Sequence, residues 1–165
     1  MADMPLIYTY QDTVHGNGFL AGITVSGRAL AVREEDGWWM YGVQPGAIAE
    51  GGETLAEARA GFRASYQSYL FDITETAGSS DELSAEIHRF FDAVDEQAAQ
   101  AWERAIDDIA NDRVTLEPPF SKLPREPVGK RRAVCVRVER LDMAQPQKFS
   151  PNQNVLESIA LAMAA

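Results

Sequence analysis

The chain has 165 residues, of which 45% are hydrophobic and 24% are charged, and its formal net charge is -10 at pH 7. These values fit one folded domain with a buried core and argue against global disorder. The negative charge opposes general affinity for nucleic acid or an anionic membrane, and it favours a basic partner protein. A single cysteine cannot form an internal disulfide, and neither a signal peptide nor a membrane-spanning apolar run is evident. We therefore expect a cytoplasmic protein.

The N-terminal third has the pattern of an antiparallel sheet. Runs rich in aromatic and β-branched residues are separated by Gly-rich or polar breaks, of which Ser26-Gly27 is one and the segment 13–18 another. These breaks predict separate strands at 6–11, 19–25, 29–34, 38–43 and 47–50.

A tight hairpin and a capped helix follow one another in this region. Asp36-Gly37 lies between two strand-like runs, and glycine takes the positive φ that a short hairpin turn requires. Thr54 and Glu57 have the spacing of a capping box, which predicts that a helix begins at about Leu55. An apolar stripe along this helix should cover one face of the sheet; it comprises Leu55, Ala58, Phe62, Tyr66, Tyr69, Leu70 and Ile73.

Residues 29–73 resemble the antitoxin-type domain of the HicB family over about a quarter of the chain. The matching positions are Asp36, Gly37, Pro45, Gly46, Gly52, Thr54, Glu57 and Ala58. The resemblance implies an α+β fold and a non-catalytic, antitoxin-like role in which the protein binds and blocks a small ribonuclease toxin. No ribbon-helix-helix or helix-turn-helix pattern follows the domain, so the resemblance does not extend to operator DNA.

A second helix is predicted from the capping-box spacing of Ser79 and Glu82. Apolar residues keep helical period from Leu83 to Ile109, which predicts one long helix. Such a helix is longer than a small sheet can cover, so part of it should pack on the first helix or on a second subunit. We therefore expect a homodimer.

The last part of the chain contains a Pro-rich segment followed by a strand-like segment. Residues 114–132 form a Pro-rich connector, and residues 133–140 alternate apolar and charged side chains as a strand would. The expected organisation is a HicB-like α+β domain at 1–113, the connector at 114–132, and a strand with a short helix or tail at 133–165. The fold class is α+β: an antiparallel sheet of four to six strands with two helices on one face, plus the C-terminal strand.

Two features suggest a surface for the basic partner. Acidic residues dominate 81–112, so one face of the long helix could attract a basic protein, although a solvated helix face is the simpler interpretation. Trp38 and Trp39 are neighbours on a strand and must point to opposite faces, so only one can be an exposed anchor. The candidate partner-binding residues are Trp38, Trp39, Asp92, Asp95, Glu96 and Glu103.

The sequence contains little that suggests catalysis. His15 and His88 lack a recognisable nucleophile motif nearby, and Cys135 fits a small buried residue of a strand. We expect no catalytic residue, cofactor or metal. Two alternatives remain: a stand-alone binding or scaffold domain of HicB-like fold without a toxin, and an enzyme that uses scattered carboxylates.

Overall fold

The computed structural model of the chain describes residues 3–116, 120 and 134–142. This part of the chain forms an α+β fold with five strands and three helices. In chain order these are β1 (Met4–Gly16), β2 (Phe19–Glu34), β3 (Gly37–Gln44), β4 (Ala49–Gly52), α1 (Leu55–Thr76), α2 (Ser80–Asp92), α3 (Glu96–Ala110) and β5 (Cys135–Arg140).

The long strand β2 organises an antiparallel sheet. One edge of β2 pairs with β1 from Met4 opposite Ala31 to Gly16 opposite Phe19. The other edge pairs first with β5 and then with β3, and β3 in turn pairs with β4. The strand order is therefore β1-β2-β3-β4, with β5 beside the first half of β2.

The prediction of a strand break at Ser26-Gly27 is wrong, because β2 runs through both residues. Gly27 instead allows two neighbouring groups to approach the strand closely. A Cβ atom there would lie 2.5 Å from the Tyr8 hydroxyl and 2.4 Å from the carbonyl oxygen of Gln44. The missing side chain therefore gives room to the half-buried Tyr8 without interrupting the strand.

The inner face of the sheet, defined here as the face covered by α1 and α2, carries the main core. The Tyr8 ring lies edge-on to the rings of Phe62 and Tyr66, with centroids 5.4 and 5.8 Å apart. The predicted apolar stripe of α1 does cover the sheet, although Tyr69 is exposed. From α2, Leu83, Ile87, Phe90 and Phe91 complete this core.

The prediction of one long helix is wrong, because the helix is divided into α2 and α3. The two pieces lie on opposite faces of the sheet. Trp102 of α3 packs with Leu30 and Val43 in a separate apolar cluster on the outer face, the face opposite α1 and α2. Two helices thus share one face as predicted, and a third covers part of the other.

Hydrogen bonds from β3 and from the loop after it hold the break between α2 and α3. The Gly46 amide donates to the Ala93 carbonyl at 2.8 Å, and the Asp95 amide donates to the Val43 carbonyl at 3.1 Å. A Cβ on Gly46 would lie 2.4 Å from the Asp95 nitrogen, so glycine allows this close approach. Asp95 then begins α3 by accepting a hydrogen bond from the Ala98 amide through its side chain.

The strand predicted after the connector is confirmed as β5. Val136 and Val138 pack against the main core, whereas Cys135 is exposed, so the prediction of a buried cysteine is wrong. The strand pairs with β2 and leaves Cys135 on the outer face, where no helix of the described chain covers it. Most of the connector and the predicted helix or tail after 142 lie outside the described residues.

The capping box at the start of α1 is present in full. The Thr54 hydroxyl accepts from the Glu57 amide at 3.2 Å, and the Glu57 carboxylate accepts from the Thr54 amide at 3.1 Å. We expect Thr54→Ala to lower the free energy of unfolding by about 1 kcal/mol, because the helix loses this cap. Chemical denaturation should show that loss and should show a smaller one for Thr54→Ser, which keeps a hydroxyl. Equal stability of the alanine variant and the wild type would contradict the role of the cap.

Candidate partner-binding site

Two aromatic side chains lie side by side on the outer face of the sheet. Trp39 and Tyr41 alternate along β3, and their rings stack with centroids 5.9 Å apart and planes 15° apart. Both are half-buried. Gly51 of β4 makes room for the indole, since a Cβ there would lie within 3.2 Å of three ring atoms of Trp39. The sheet thus fixes an aromatic pair that is still partly open to solvent.

Two acidic side chains, one at the end of β2 and one in the β2–β3 turn, border this aromatic pair. The Tyr41 hydroxyl donates to Glu34 at 2.7 Å, and the Trp39 indole nitrogen donates to Asp36 at 3.3 Å. The hydrogen bond to Glu34, followed by burial and the charges of Glu34 and Asp36, raises the pKa of Tyr41 to about 12. The site is therefore an aromatic surface in a negative field, which suits a lysine or arginine side chain.

Trp38 points to the inner face. Its ring lies 6.2 Å from that of Phe120, and the Arg33 guanidinium lies 5.8 Å from its centroid. Trp38 is half-buried and packs against the main core. The two tryptophans therefore lie on opposite faces, and Trp39 alone shares a face with α3.

Three of the predicted acidic residues lie at the junction of α2 and α3. Asp92 ends α2, Asp95 caps α3, and Glu96 is the first residue of α3; all three are exposed. This junction is hydrogen-bonded to Val43, which lies four residues after Trp39 on the same strand face, a distance of about 13 Å. Asp95 and Glu96, which begin α3, therefore lie on the outer face with the aromatic pair, whereas Asp92 lies where the chain crosses from the inner face to the outer face.

Glu103 lies farther along α3 and has a structural contact. Its carboxylate is 3.9 Å from Arg28, whose guanidinium also lies 5.2 Å from the centre of the Trp102 ring and donates to Gln44. The Trp102 indole nitrogen reaches the carbonyl oxygen of Leu6 at 3.5 Å. These contacts attach α3 to the sheet, so Glu103 serves the packing of α3 as well as the surface charge.

Sequence reasoning missed part of this surface. It selected both strand tryptophans and the four acidic residues Asp92, Asp95, Glu96 and Glu103, but it did not select Tyr41, Glu34 or Asp36 as site residues. The signal was available in principle, because residues two apart on a strand share a face and an acidic turn adjoins the tryptophans. The stacking and the two hydrogen bonds could only be seen in three dimensions.

The described residues contain no cluster of three or more His, Cys, Asp or Glu side chains that could hold a metal ion. His15 and His88 are both exposed and lie on separate elements, β1 and α2. Among the described helices, none is both long enough and apolar enough to cross a membrane.

No protein-family model, curated protein or solved structure matches this chain.

Proposed function

We propose that this chain is a non-catalytic, HicB-like binding protein that docks a basic partner protein, in the manner of an antitoxin that blocks a ribonuclease toxin. The observation that carries the proposal is the partly open Trp39–Tyr41 pair, with the carboxylates of Glu34 and Asp36 beside it. The resemblance of residues 29–73 to HicB antitoxin domains supports the choice of partner class.

The chemistry of the surface selects cationic side chains. An arginine guanidinium or lysine ammonium over Trp39 would gain from the ring face and from the nearby carboxylates at the same time. Aromatic residues held rigidly by a sheet lose little conformational freedom on binding, which makes Trp39 suitable as an anchor. The contact is therefore expected to contribute mainly to the lifetime of the complex.

The acidic residues at the α2–α3 junction attract the basic partner protein over long distances. The net charge of -10 and the cluster of Asp92, Asp95 and Glu96 would draw in a basic protein and orient it toward the outer face. Asp95 is a helix cap and Glu103 contacts Arg28, so reversing either charge would also disturb the fold. Asp92 and Glu96 are the better positions for a test.

The experiment is co-expression with any small basic protein that is encoded beside this chain, followed by measurement of the association rate of the purified pair. Asp92→Lys together with Glu96→Lys should relieve toxicity less well and slow association by about tenfold at low salt. The matched control is Asp72→Lys with Glu75→Lys. It makes the same change in net charge on exposed residues of α1, on the other face of the sheet.

If association is slowed equally in the test and control variants, net charge alone determines the association rate. The acidic residues at the α2–α3 junction would then have no specific role in attracting the partner. If no basic neighbour is encoded, or if it neither binds nor is neutralised, the antitoxin assignment fails. A stand-alone binding or scaffold domain would then take its place.

A further inference from the structure

Strand β1 has a long edge that the described chain leaves unpaired. All 13 residues of β1 pair with β2, and no other described strand pairs with β1. An edge strand of this length carries a row of backbone donors and acceptors that can pair with another strand. This edge is separate from the Trp39–Tyr41 surface, so pairing along it does not depend on the proposed function.

The ladder shows which residues of β1 direct their amide groups outward. Leu20 of β2 lies opposite His15 of β1, but its carbonyl accepts a hydrogen bond from the Leu141 amide on the β5 side. Leu20 and His15 are therefore a pair without hydrogen bonds between them, and the backbone groups of His15 point away from β2. Hydrogen-bonded and non-hydrogen-bonded pairs alternate along an antiparallel ladder. The N–H and C=O groups of Ile7, Thr9 and Gln11 therefore point away from β2.

The row of outward N–H groups formed by Ile7, Thr9 and Gln11 is bounded on each side by a residue that has no free N–H. Pro5 has no N–H to donate, and the N–H of Thr13 is already bonded to its neighbour Asp12 at 2.8 Å. Both positions lie four residues from Thr9. Between these two positions the free outward N–H groups, those of Ile7, Thr9 and Gln11, are symmetric about Thr9, as a strand that pairs with its own copy would require.

Apart from Pro5 near its start, the edge lacks the usual protection against pairing. Natural edge strands often carry lysine or several charges, whereas β1 has a single carboxylate, Asp12, and no lysine or arginine. Ile7 adds an exposed apolar side chain on the outer face of the same strand.

We propose that β1 pairs antiparallel with β1 of a second copy of this chain, about a two-fold axis through Thr9. Thr9 then lies opposite its own counterpart, and Ile7 lies opposite Gln11 in both halves, which gives about six backbone hydrogen bonds. The two sheets join into one continuous sheet. The predicted homodimer is retained, but the long helix that first suggested it is absent and β5 is already paired with β2.

Cysteine cross-linking tests the register directly in a Cys135→Ser background, which removes the exposed native thiol. At the two-fold axis the Cα atoms of the two Thr9 residues would lie about 5.5 Å apart, within the range that a disulfide spans. Thr9→Cys should therefore form a covalent dimer on mild oxidation. Thr13→Cys is the matched control on the same strand face, because its two copies would be about 26 Å apart.

A second variant tests the hydrogen bonds themselves. Thr9→Pro removes an outward N–H that β2 does not use, so we expect the circular dichroism to be retained while light scattering shows the mass fall from dimer to monomer. Equal cross-linking of the Thr9→Cys and Thr13→Cys variants, or none in either, would overturn the proposal. A monomer mass for the wild type at high micromolar concentration would overturn it as well.

Discussion

Replacing Phe91 with alanine is expected to lower the free energy of unfolding by about 3–5 kcal/mol. Phe91 is fully buried, and its ring packs edge-on against Tyr66 at 5.3 Å and Phe90 at 5.6 Å. The substitution would open a cavity where α2 meets α1, at a site that rigid aromatic neighbours cannot easily close. Since a domain of this size has a total stability of about 5–15 kcal/mol, the effect is large.

Urea denaturation measures this loss, and Phe71→Ala is the control. Phe71 lies on α1 and is 42% exposed, so its removal should change stability by less than about 1 kcal/mol. Equal losses for the two variants would show that α2 does not pack in this way.

Replacing Trp39 with alanine is expected to weaken binding of the proposed basic partner by about 30-fold or more, the effect of losing a principal anchor. The change should appear mainly as faster dissociation, because long-range attraction by the acidic residues is left intact. Loss of the indole also removes the stacking on Tyr41 and the hydrogen bond to Asp36. Surface plasmon resonance separates the two rate constants.

Phe71→Ala again serves as the control, since it removes an exposed aromatic from the opposite side of the molecule. Its dissociation rate should match the wild type. If Trp39→Ala binds as tightly as Phe71→Ala, the aromatic pair is not the anchor and the partner must use another surface.

Local signals in the sequence predicted several elements well. Asp36-Gly37 lies at the β2–β3 turn, and Thr54 with Glu57 begins α1 through both hydrogen bonds of the capping box. Phe62 and Tyr66 lie in the core, as their helical spacing predicts. Each of these features depends on residues close together in the chain, which is why the sequence was sufficient.

The break between α2 and α3 could not be predicted in the same way. Apolar spacing continues through residues 93–95, and neither proline nor glycine interrupts it. The helix ends because Val43 and Gly46, some fifty residues earlier in the chain, form hydrogen bonds with Ala93 and Asp95. Only the Asp95 side chain, which caps α3, gave a local hint.

The candidate site was likewise predictable only where it depends on residues close together in the chain. The alternation rule placed Trp38 and Trp39 on opposite faces, but it could not decide which face α3 would cover. That choice depends on the break at residues 93–95, which takes α3 across to the side of Trp39. The acidic residues of α3 and the aromatic pair therefore share a surface only because of a long-range contact.

Hydrogen–deuterium exchange tests the central claim most directly, on the complex with any small basic protein that is encoded beside this chain. If the outer face binds that protein, backbone amides at 36–41 and 94–98 should exchange more slowly in the complex than in the free chain. Amides of α1 and α2 that are remote from this face should be unchanged. Slower exchange confined to α1 or α2, or no change anywhere at saturating partner, would contradict the account.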